Sequence, residues 1–158
     1  MGEATAAMAR ADPDRDIVGV EVHPAGVAAL LRRIEEASLT NVRVVEGDAV
    51  QVLEACPAGS LAEVRVFFPD PWPKARHAKR RLLRRGFTDL LATRLAPGGF
   101  LHLATDSSDY AEHALLALAG WDAEVVPRPE RRPETGYELR ALAAGRGPID
   151  VIGRPPAG

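Results

Sequence analysis

Short apolar segments alternate with amphipathic helical patterns along this chain, and that alternation constrains its fold more than any other feature. Four segments are rich in β-branched and aromatic residues, as buried parallel strands are: IVGVEV (17–22), VRVV (42–45), VRVFF (64–68) and FLHLA (100–104). Strands and helices in turn are typical of a doubly wound α/β domain. We therefore predict a single domain of this class across residues 1–158, a length that buries an ordinary core.

The helices are predicted from the 3.6-residue period. Two sets of apolar residues recur at spacings that put them on one helix face: Val27, Leu30, Leu31 and Ile34, and then Leu83, Phe87, Leu90 and Leu91. We expect the PGG turn at 97–99 to end the second of these helices before FLHLA. Ser107 or Ser108 is expected to cap a third helix.

The composition indicates a protein of an aqueous, reducing compartment. The single cysteine, Cys56, has no partner within the chain for a disulfide, and no apolar run approaches the roughly 18 residues of a membrane-spanning helix. The first ten residues lack the basic and strongly apolar regions of a secretory signal. We expect a cytoplasmic protein without a membrane partner.

Cations are concentrated in one segment, although the whole chain has a formal net charge of −2. The segment KARHAKRRLLRR (74–85) has seven Lys and Arg residues and no acid. Two interpretations stay open from this run alone. It forms either a solvated helix face or a surface that contacts the phosphate backbone of a nucleic acid.

An acidic residue lies at or just after the end of each predicted strand: Glu21, Asp48, Asp70 and Asp106. In a doubly wound sheet the ligand binds outside the carboxyl ends of the strands, so we expect these acids at a ligand crevice. Any one of them alone is equally well a helix cap. In a nucleotide-binding unit, the acid that binds the ribose hydroxyls lies about 20 residues beyond a glycine turn, and Gly2 and Glu21 have that spacing.

Prolines on both sides of Asp70 stiffen the chain where the third predicted strand ends. In FFPDPWPKARHAKRR (67–81) they restrict the backbone around Asp70 and Trp72, which holds the carboxylate and the indole in place. The alternative is that Trp72 covers a sheet edge and the prolines only end the strand. The cations that follow immediately favour a catalytic crevice beside a nucleic-acid-binding surface.

Four segments carry a resemblance to a known family: FFPDPWPKARHAKRR (67–81), GVEVHPAGV (19–27), ATDSSDYAEH (104–113) and RRPETGYELRALAAGRGPIDVI (131–152). Together they resemble the bacterial tRNA (guanine-N7)-methyltransferases, the TrmB family, over essentially the whole chain. The resemblance implies a Rossmann-like class I domain that uses S-adenosylmethionine (SAM) as its cofactor. It also implies tRNA as the partner, methylated at N7 of a guanosine in the variable loop.

The resemblance implies roles for individual residues by matching position. Gly2, Glu21 and Asp48 are expected to bind SAM, and Asp70 to be the catalytic acid that also lies against the cofactor. The expected substrate contacts are Lys74, Asp106, Thr135, Gly136, Tyr137 and Glu138. The expected RNA contacts are Arg76, His77, Ala78, Lys79, Arg80 and Arg81. The family writes the motif at 135–138 as T-K-F-E, so Gly136 removes one cation from it.

A larger departure from the family lies at the start of the chain. The family has a strand followed by E-I-G-x-G-x-G, and MGEAT here matches only the end of that turn. We expect the first, central strand to be missing and its neighbours to lack hydrogen-bond partners. Either the true start lies upstream of Met1 or the chain is a fragment. Two functions stay open: a SAM-dependent tRNA methyltransferase, or a catalytically silent fragment that retains RNA binding through its basic segment.

The implied chemistry needs alignment more than proton transfer. Guanine N7 has an available lone pair, and the base becomes cationic as the methyl group arrives. We expect Asp70 to position the guanine and to stabilise the developing charge, with proton transfer as a minor alternative. Scattered histidines and a lone Cys56 predict no metal site, and the lack of a nucleophile elbow excludes a serine hydrolase.

Overall fold

The computed structural model describes residues 2–156 and groups the chain into two compact units. Unit 1 comprises Met1–Ala55 and Glu130–Thr135, and unit 2 comprises Cys56–Pro129 and Gly136–Gly158. Among the described residues, no helix is long and apolar enough to cross a membrane.

Unit 1 is built on a parallel pair of strands. Its elements are α1 (Glu3–Ala11), β1 (Ile17–Glu21), α2 (Pro24–Glu36), β2 (Val42–Glu46) and α3 (Ala49–Ala55). The strands pair in register from Ile17 opposite Val42 to Glu21 opposite Glu46. Helix α2 begins at a proline, whose fixed φ suits the first helical turn. The buried amide of Asn41 donates to the carbonyls of Ala9, Asp12 and Arg15, which fixes the end of α1 against the start of β2.

Unit 2 is built on a mixed four-stranded sheet. Its elements are β3 (Leu61–Phe67), a 3₁₀ helix (Ala75–Arg80), α4 (Arg85–Arg94), β4 (Leu95–Thr105), α5 (Ser108–Ala117), β5 (Asp122–Val126), α6 (Gly136–Ala143) and β6 (Ile149–Arg154). The strand order is β3-β4-β6-β5, with β3 parallel to β4 and the other two pairs antiparallel. The core of this unit is fully buried around Leu101 and Leu103 of β4, Val151 of β6 and Tyr110 and Ala114 of α5.

The predicted alternation of strands and helices is confirmed, but the second predicted helix has different boundaries. Helix α4 begins at Arg85, so Leu83 lies before it, although its side chain is fully buried. The PGG turn at 97–99 does not end this helix, which stops at Arg94; it lies inside β4. A Cβ on Gly99 would lie 2.9 Å from the Leu61 carbonyl oxygen, so the glycine permits a close approach of β4 to β3.

Hydrogen bonds join the strands of residues 2–156 into two separate sheets, β1–β2 and β3–β4–β6–β5. Strands β1 and β3 therefore each have one strand neighbour in the described part of the chain. This agrees with the prediction that two strands lack a hydrogen-bonded neighbour on one side. The sequence also missed β5 and β6, whose short segments carry no clear period-2 pattern.

Candidate functional site

The two carboxylates predicted to bind SAM lie at neighbouring strand ends in unit 1. Glu21 is the last residue of β1, and Asp48 follows β2 directly after Gly47, whose N–H donates to the Glu21 carbonyl over 3.0 Å. The Glu21 carboxylate accepts a hydrogen bond of 2.9 Å from the His23 N–H. The Asp48 carboxylate accepts one of 2.7 Å from the Val50 N–H. Each carboxylate is thus oriented by the backbone two residues further along the chain.

Gly26, in the first turn of α2, provides the space that the Glu21 side chain occupies. A Cβ at this position would lie 2.6 Å from Oε2 and 2.7 Å from the carboxylate carbon of Glu21. Gly2 also lies in unit 1, where it precedes α1 with a left-handed φ of 74°. The structure therefore places Glu21 and Asp48 at neighbouring strand ends, and sequence reasoning assigned no role to Gly26.

The loop that carries Asp70 has a strained backbone on both sides of this residue. Phe68 has a φ of 51° and Trp72 a φ of 41°, which are outliers for bulky L-residues. Residues held in this region persist only where the surrounding structure fixes them, and they cluster at functional sites. The Phe68 N–H donates to the Ala104 carbonyl over 2.7 Å, which attaches the start of the loop to β4. Asp70 itself is exposed.

Arg81 lies inside unit 2, where the sequence had predicted an RNA contact. Its side chain is 5% exposed, and its guanidinium donates to the carbonyls of Pro71 and Trp72 at 2.9 and 3.3 Å. It also pairs with the Asp109 carboxylate and lies 5.6 Å from the centre of the Tyr110 ring. Because all of these contacts are internal, the side chain does not present its charge to solvent.

The rest of the basic segment (74–85) does not form one face of an α-helix. Residues 75–80 form a 3₁₀ helix instead, and none of its residues is buried. Arg80 lies over the Trp72 ring, 4.9 Å from its centre, and the His77 ring meets the same indole edge-on at 5.8 Å. Arg85 pairs with Asp89 at 2.9 Å. In the described part of the chain, five cations of the segment have no carboxylate partner: Lys74, Arg76, Lys79, Arg80 and Arg84. Ala78 is half-buried among them.

An open cleft of about 410 Å³ lies beside the Asp70 loop in unit 2. Its lining residues are Pro71, Pro73, Asp106, Ser107, Ser108, Asp109 and Arg146. The Asp106 carboxylate accepts a hydrogen bond of 2.9 Å from Nε of Arg146. Sequence reasoning assigned no role to Arg146, which lies within the 131–152 segment but 40 positions from Asp106. The predicted serine cap is present, since Ser107 Oγ accepts from the Tyr110 N–H at the start of α5.

The motif at 135–138 presents one side chain, that of Tyr137, to solvent. Tyr137 is 51% exposed, with the Arg140 guanidinium 4.6 Å from its ring centre. Glu138 is 2% exposed and lies 3.7 Å from Arg128, while Thr135 is also buried. Gly136 begins α6. Glu138 thus has a charged partner within unit 2, although the Arg128 side chain is 40% exposed.

Comparison with known proteins assigns the chain to a family. A family model described as "Putative methyltransferase" matches residues 1–150. The tRNA (guanine-N(7)-)-methyltransferase of Nitrosospira multiformis is 50% identical over 165 residues, covering 100% of this chain and 72% of the relative. The chain belongs to the tRNA (guanine-N(7)-)-methyltransferase family. The relatives of the same name from Thiobacillus denitrificans and Bordetella pertussis are 49% and 50% identical, over 98% and 96% of this chain and 71% and 63% of their own lengths.

Solved structures show that this family member has the fold of the SAM-dependent methyltransferases. The precorrin-6y C5,15-methyltransferase of Geobacter metallireducens superposes with a TM-score of 0.64 at 18% identity, covering 97% of this chain and 75% of that one. A SAM-dependent O-methyltransferase from Thermotoga maritima gives a TM-score of 0.57 at 14% identity, covering 90% and 54%. The predicted Rossmann-like methyltransferase fold is therefore confirmed.

Proposed function

We propose that this chain transfers the methyl group of SAM to N7 of a guanosine in tRNA. The observation that carries the proposal is the identity of about 50%, over nearly the whole chain, to relatives named for that reaction. The structure supports it with a rigid loop around Asp70 that continues into five cations without carboxylate partners. We further propose that residues 1–158 act as part of one methyltransferase domain, and that the chain acts in the cytoplasm because tRNA is its substrate.

The residues of unit 1 fit the nucleoside part of SAM. Glu21 is half-buried and oriented by the His23 N–H, so its second oxygen is available to accept the ribose hydroxyls. Asp48 is exposed at the next strand end, as a residue that accepts from the adenine amino group would be. Gly2 keeps the turn before α1 free of a side chain. When bound, SAM supplies an electrophilic methyl group on a sulfonium sulfur.

Asp70 acts by position and charge in this proposal. Guanine N7 attacks the methyl carbon with its own lone pair, so no proton has to leave before the new bond forms. The purine gains a positive charge as the sulfonium loses one. A carboxylate held beside the ring by a rigid loop stabilises that developing charge without reorganising. The prolines and the strained residues Phe68 and Trp72 provide the rigidity.

The substrate contacts follow from exposure and charge. Lys74, Arg76, Lys79 and Arg80 carry charges for the tRNA phosphates, and His77 and Ala78 lie within the same surface. Asp106, on the cleft beside the Asp70 loop, is placed to accept from the N–H groups of guanine. Tyr137 offers an exposed ring for stacking on a base. We retain Thr135, Gly136 and Glu138 in the proposed motif as residues that support Tyr137.

A catalytically silent fragment that binds RNA is the second candidate. It is favoured by the observation that β1 and β3 each have one strand neighbour among the described residues, which leaves a row of backbone N–H and C=O groups without a strand partner there. This candidate predicts RNA binding through the basic segment without methyl transfer.

Methylation of an unmodified tRNA transcript with radiolabelled SAM separates the two candidates. The proposal predicts incorporation of label and chain cleavage at the modified base after reduction and aniline treatment. A matched transcript with 7-deazaguanosine, which has carbon in place of N7, is expected to bind equally and to take up no label. Binding of both transcripts without labelling of either would contradict methyl transfer and leave the RNA-binding fragment.

A further inference from the structure

We propose that Arg81 is a positioning residue for the Asp70 loop and not a contact for tRNA phosphates. This inference rests on the proposed function, because it assigns Arg81 a role in methyl transfer. It removes one arginine from the expected RNA-binding set and gives it a separate task.

The guanidinium of Arg81 ties the Asp70 loop to the start of α5 in unit 2. Nε donates to the Pro71 carbonyl at 2.9 Å, and Nη2 donates to the Trp72 carbonyl at 3.3 Å. The same group pairs with the Asp109 carboxylate in the first turn of α5. A planar guanidinium presents several N–H donors in a fixed geometry, so a single side chain satisfies all of these acceptors at once.

Asp70 lies between two backbone attachments. Before it, the Phe68 N–H donates to Ala104 of β4; after it, the Pro71 carbonyl accepts from Arg81. The Trp72 carbonyl, at the second strained residue of the loop, is also held by Arg81. Because unfavourable φ angles persist only where contacts fix them, loss of these bonds lets the Trp72 end of the loop relax. The Asp70 carboxylate then loses its fixed place.

Burial and charge pairing argue against a phosphate contact for this residue. The Arg81 side chain is 5% exposed, whereas its partner Asp109 is 68% exposed. A phosphate would have to displace Asp109 and two backbone carbonyls to reach the guanidinium. Lys79 is exposed and lacks any carboxylate partner among the described residues, so it is a contrasting cation in the same segment.

The test compares Arg81→Lys and Arg81→Ala with Arg85→Ala, a control arginine that also pairs with a carboxylate but lies at the surface. Three quantities are measured in the full chain: the single-turnover methyl-transfer rate at saturating tRNA, the slope of log tRNA affinity against log salt, and acrylamide quenching of Trp72. The Trp72 signal is isolated by Trp121→Phe, since the chain has two tryptophans. Lys79→Ala serves as the reference for a lost phosphate contact.

We expect Arg81→Lys to lower the single-turnover rate at least tenfold, to raise the quenching of Trp72 and to leave the salt slope unchanged. Arg85→Ala is expected to change none of the three, and Lys79→Ala to reduce the salt slope by roughly one. Arg81→Lys keeps the charge and most of the volume, so it decides the matter if Arg81→Ala does not fold.

A salt slope reduced by one in Arg81→Ala, or a normal rate with normal Trp72 quenching in Arg81→Lys, would overturn the positioning role. If the unaltered chain does not methylate tRNA, the proposed function fails, and the salt slope with Trp72 quenching still decides the place of Arg81. Greater quenching with an unchanged slope supports the attachment of the loop, and any other combination overturns it.

Discussion

Nε2 of His102 and Oδ1 of Asp150 lie 2.7 Å apart, and both side chains are 1% exposed. The two residues belong to the neighbouring antiparallel strands β4 and β6, where Ala104 pairs with Asp150 and His102 with Ile152. They therefore lie diagonally on one face of the sheet, and the ring of Phe67 meets His102 edge-on at 5.0 Å. Because water barely reaches either side chain, solvent does not replace the hydrogen bond between them, and the pair therefore fixes the alignment of β4 with β6.

We predict that Asp150→Ala lowers the free energy of unfolding by about 3 kcal/mol, since removal of one partner leaves a buried polar group without its mate. Asp89→Ala is the control, because Asp89 pairs with Arg85 at the surface and is expected to change stability by less than about 1 kcal/mol. Urea denaturation followed by circular dichroism measures both. Equal losses in the two variants would contradict a stabilising role for the buried pair.

The burial of Tyr110 leads to a prediction of how the free energy of unfolding changes at alkaline pH. Burial raises the pKa of its hydroxyl above the ordinary value, although the Leu83 N–H, which donates to this oxygen, and the charge of Arg81 oppose the shift. Above a pH of about 10 the unfolded chain releases this proton while the folded chain keeps it, so the free energy of unfolding falls as pH rises. Below that pH the contribution is fully present.

The measurement is the absorbance of tyrosinate in Tyr137→Phe, which leaves Tyr110 as the single tyrosine. We expect its titration midpoint to lie above 10 and to coincide with unfolding. Tyr110→Phe should be less steeply destabilised by alkali, at the expense of about 1–3 kcal/mol at neutral pH for the unpaired Leu83 N–H. A midpoint at the ordinary value would show that the hydroxyl is solvated.

The fold was predictable where apolar periodicity is strong. The segments around β1, β2, β3 and β4 and the helix α2 follow simple patterns, because each buries one face or both. The antiparallel strand β6 was missed, since IDVIGR is short and contains a glycine and a charged core residue, Asp150. The start of α4 was misplaced because Leu83 is buried by tertiary packing and not by a helix face.

The candidate site was predictable as residue types but not as orientations. Charge density located the basic segment, yet it could not distinguish exposed Lys79 from buried Arg81, which are two positions apart. That difference depends on Asp109 and on two backbone carbonyls, which are brought close only by folding. The role of Arg146 was not predicted for the same reason, since its partner Asp106 is remote in sequence.

Gly26→Ala is predicted to weaken SAM binding without lowering stability. The added methyl group would lie 2.6 Å from the Glu21 carboxylate, which must move, while the change from glycine to alanine favours the helix by up to about 1 kcal/mol. Gly86→Ala is a matched control, because Gly86 lies in the first turn of α4 with no atom within 4 Å of an added Cβ. Calorimetry should show a raised dissociation constant for Gly26→Ala and Glu21→Ala alone. An unchanged constant in both would remove Glu21 from the SAM site.

The exposed cations are predicted to act through tRNA phosphates. Replacing Arg76, Lys79 or Arg80 by alanine should weaken binding with little regard to base identity and reduce the slope of log affinity against log salt by roughly one. Arg85→Ala should leave the slope unchanged, because its charge is paired with Asp89. Titrations of labelled tRNA at several salt concentrations measure the slopes. Parallel salt dependences for every variant and the unaltered chain would indicate a merely solvated surface.

Asp70→Asn is predicted to separate methyl transfer from tRNA binding. The amide keeps the shape of the side chain but removes the charge that stabilises the cationic purine, so the single-turnover rate should fall by about 100-fold, or about 2.7 kcal/mol. The dissociation constant for tRNA should stay within about twofold, since Asp70 is exposed on the loop and adds no attraction to phosphate. Asp122→Asn, at an exposed acid that begins β5, is the control and should retain the full rate. A normal rate in Asp70→Asn would assign the stabilisation of the purine to another group and leave Asp70 with a role in loop geometry alone.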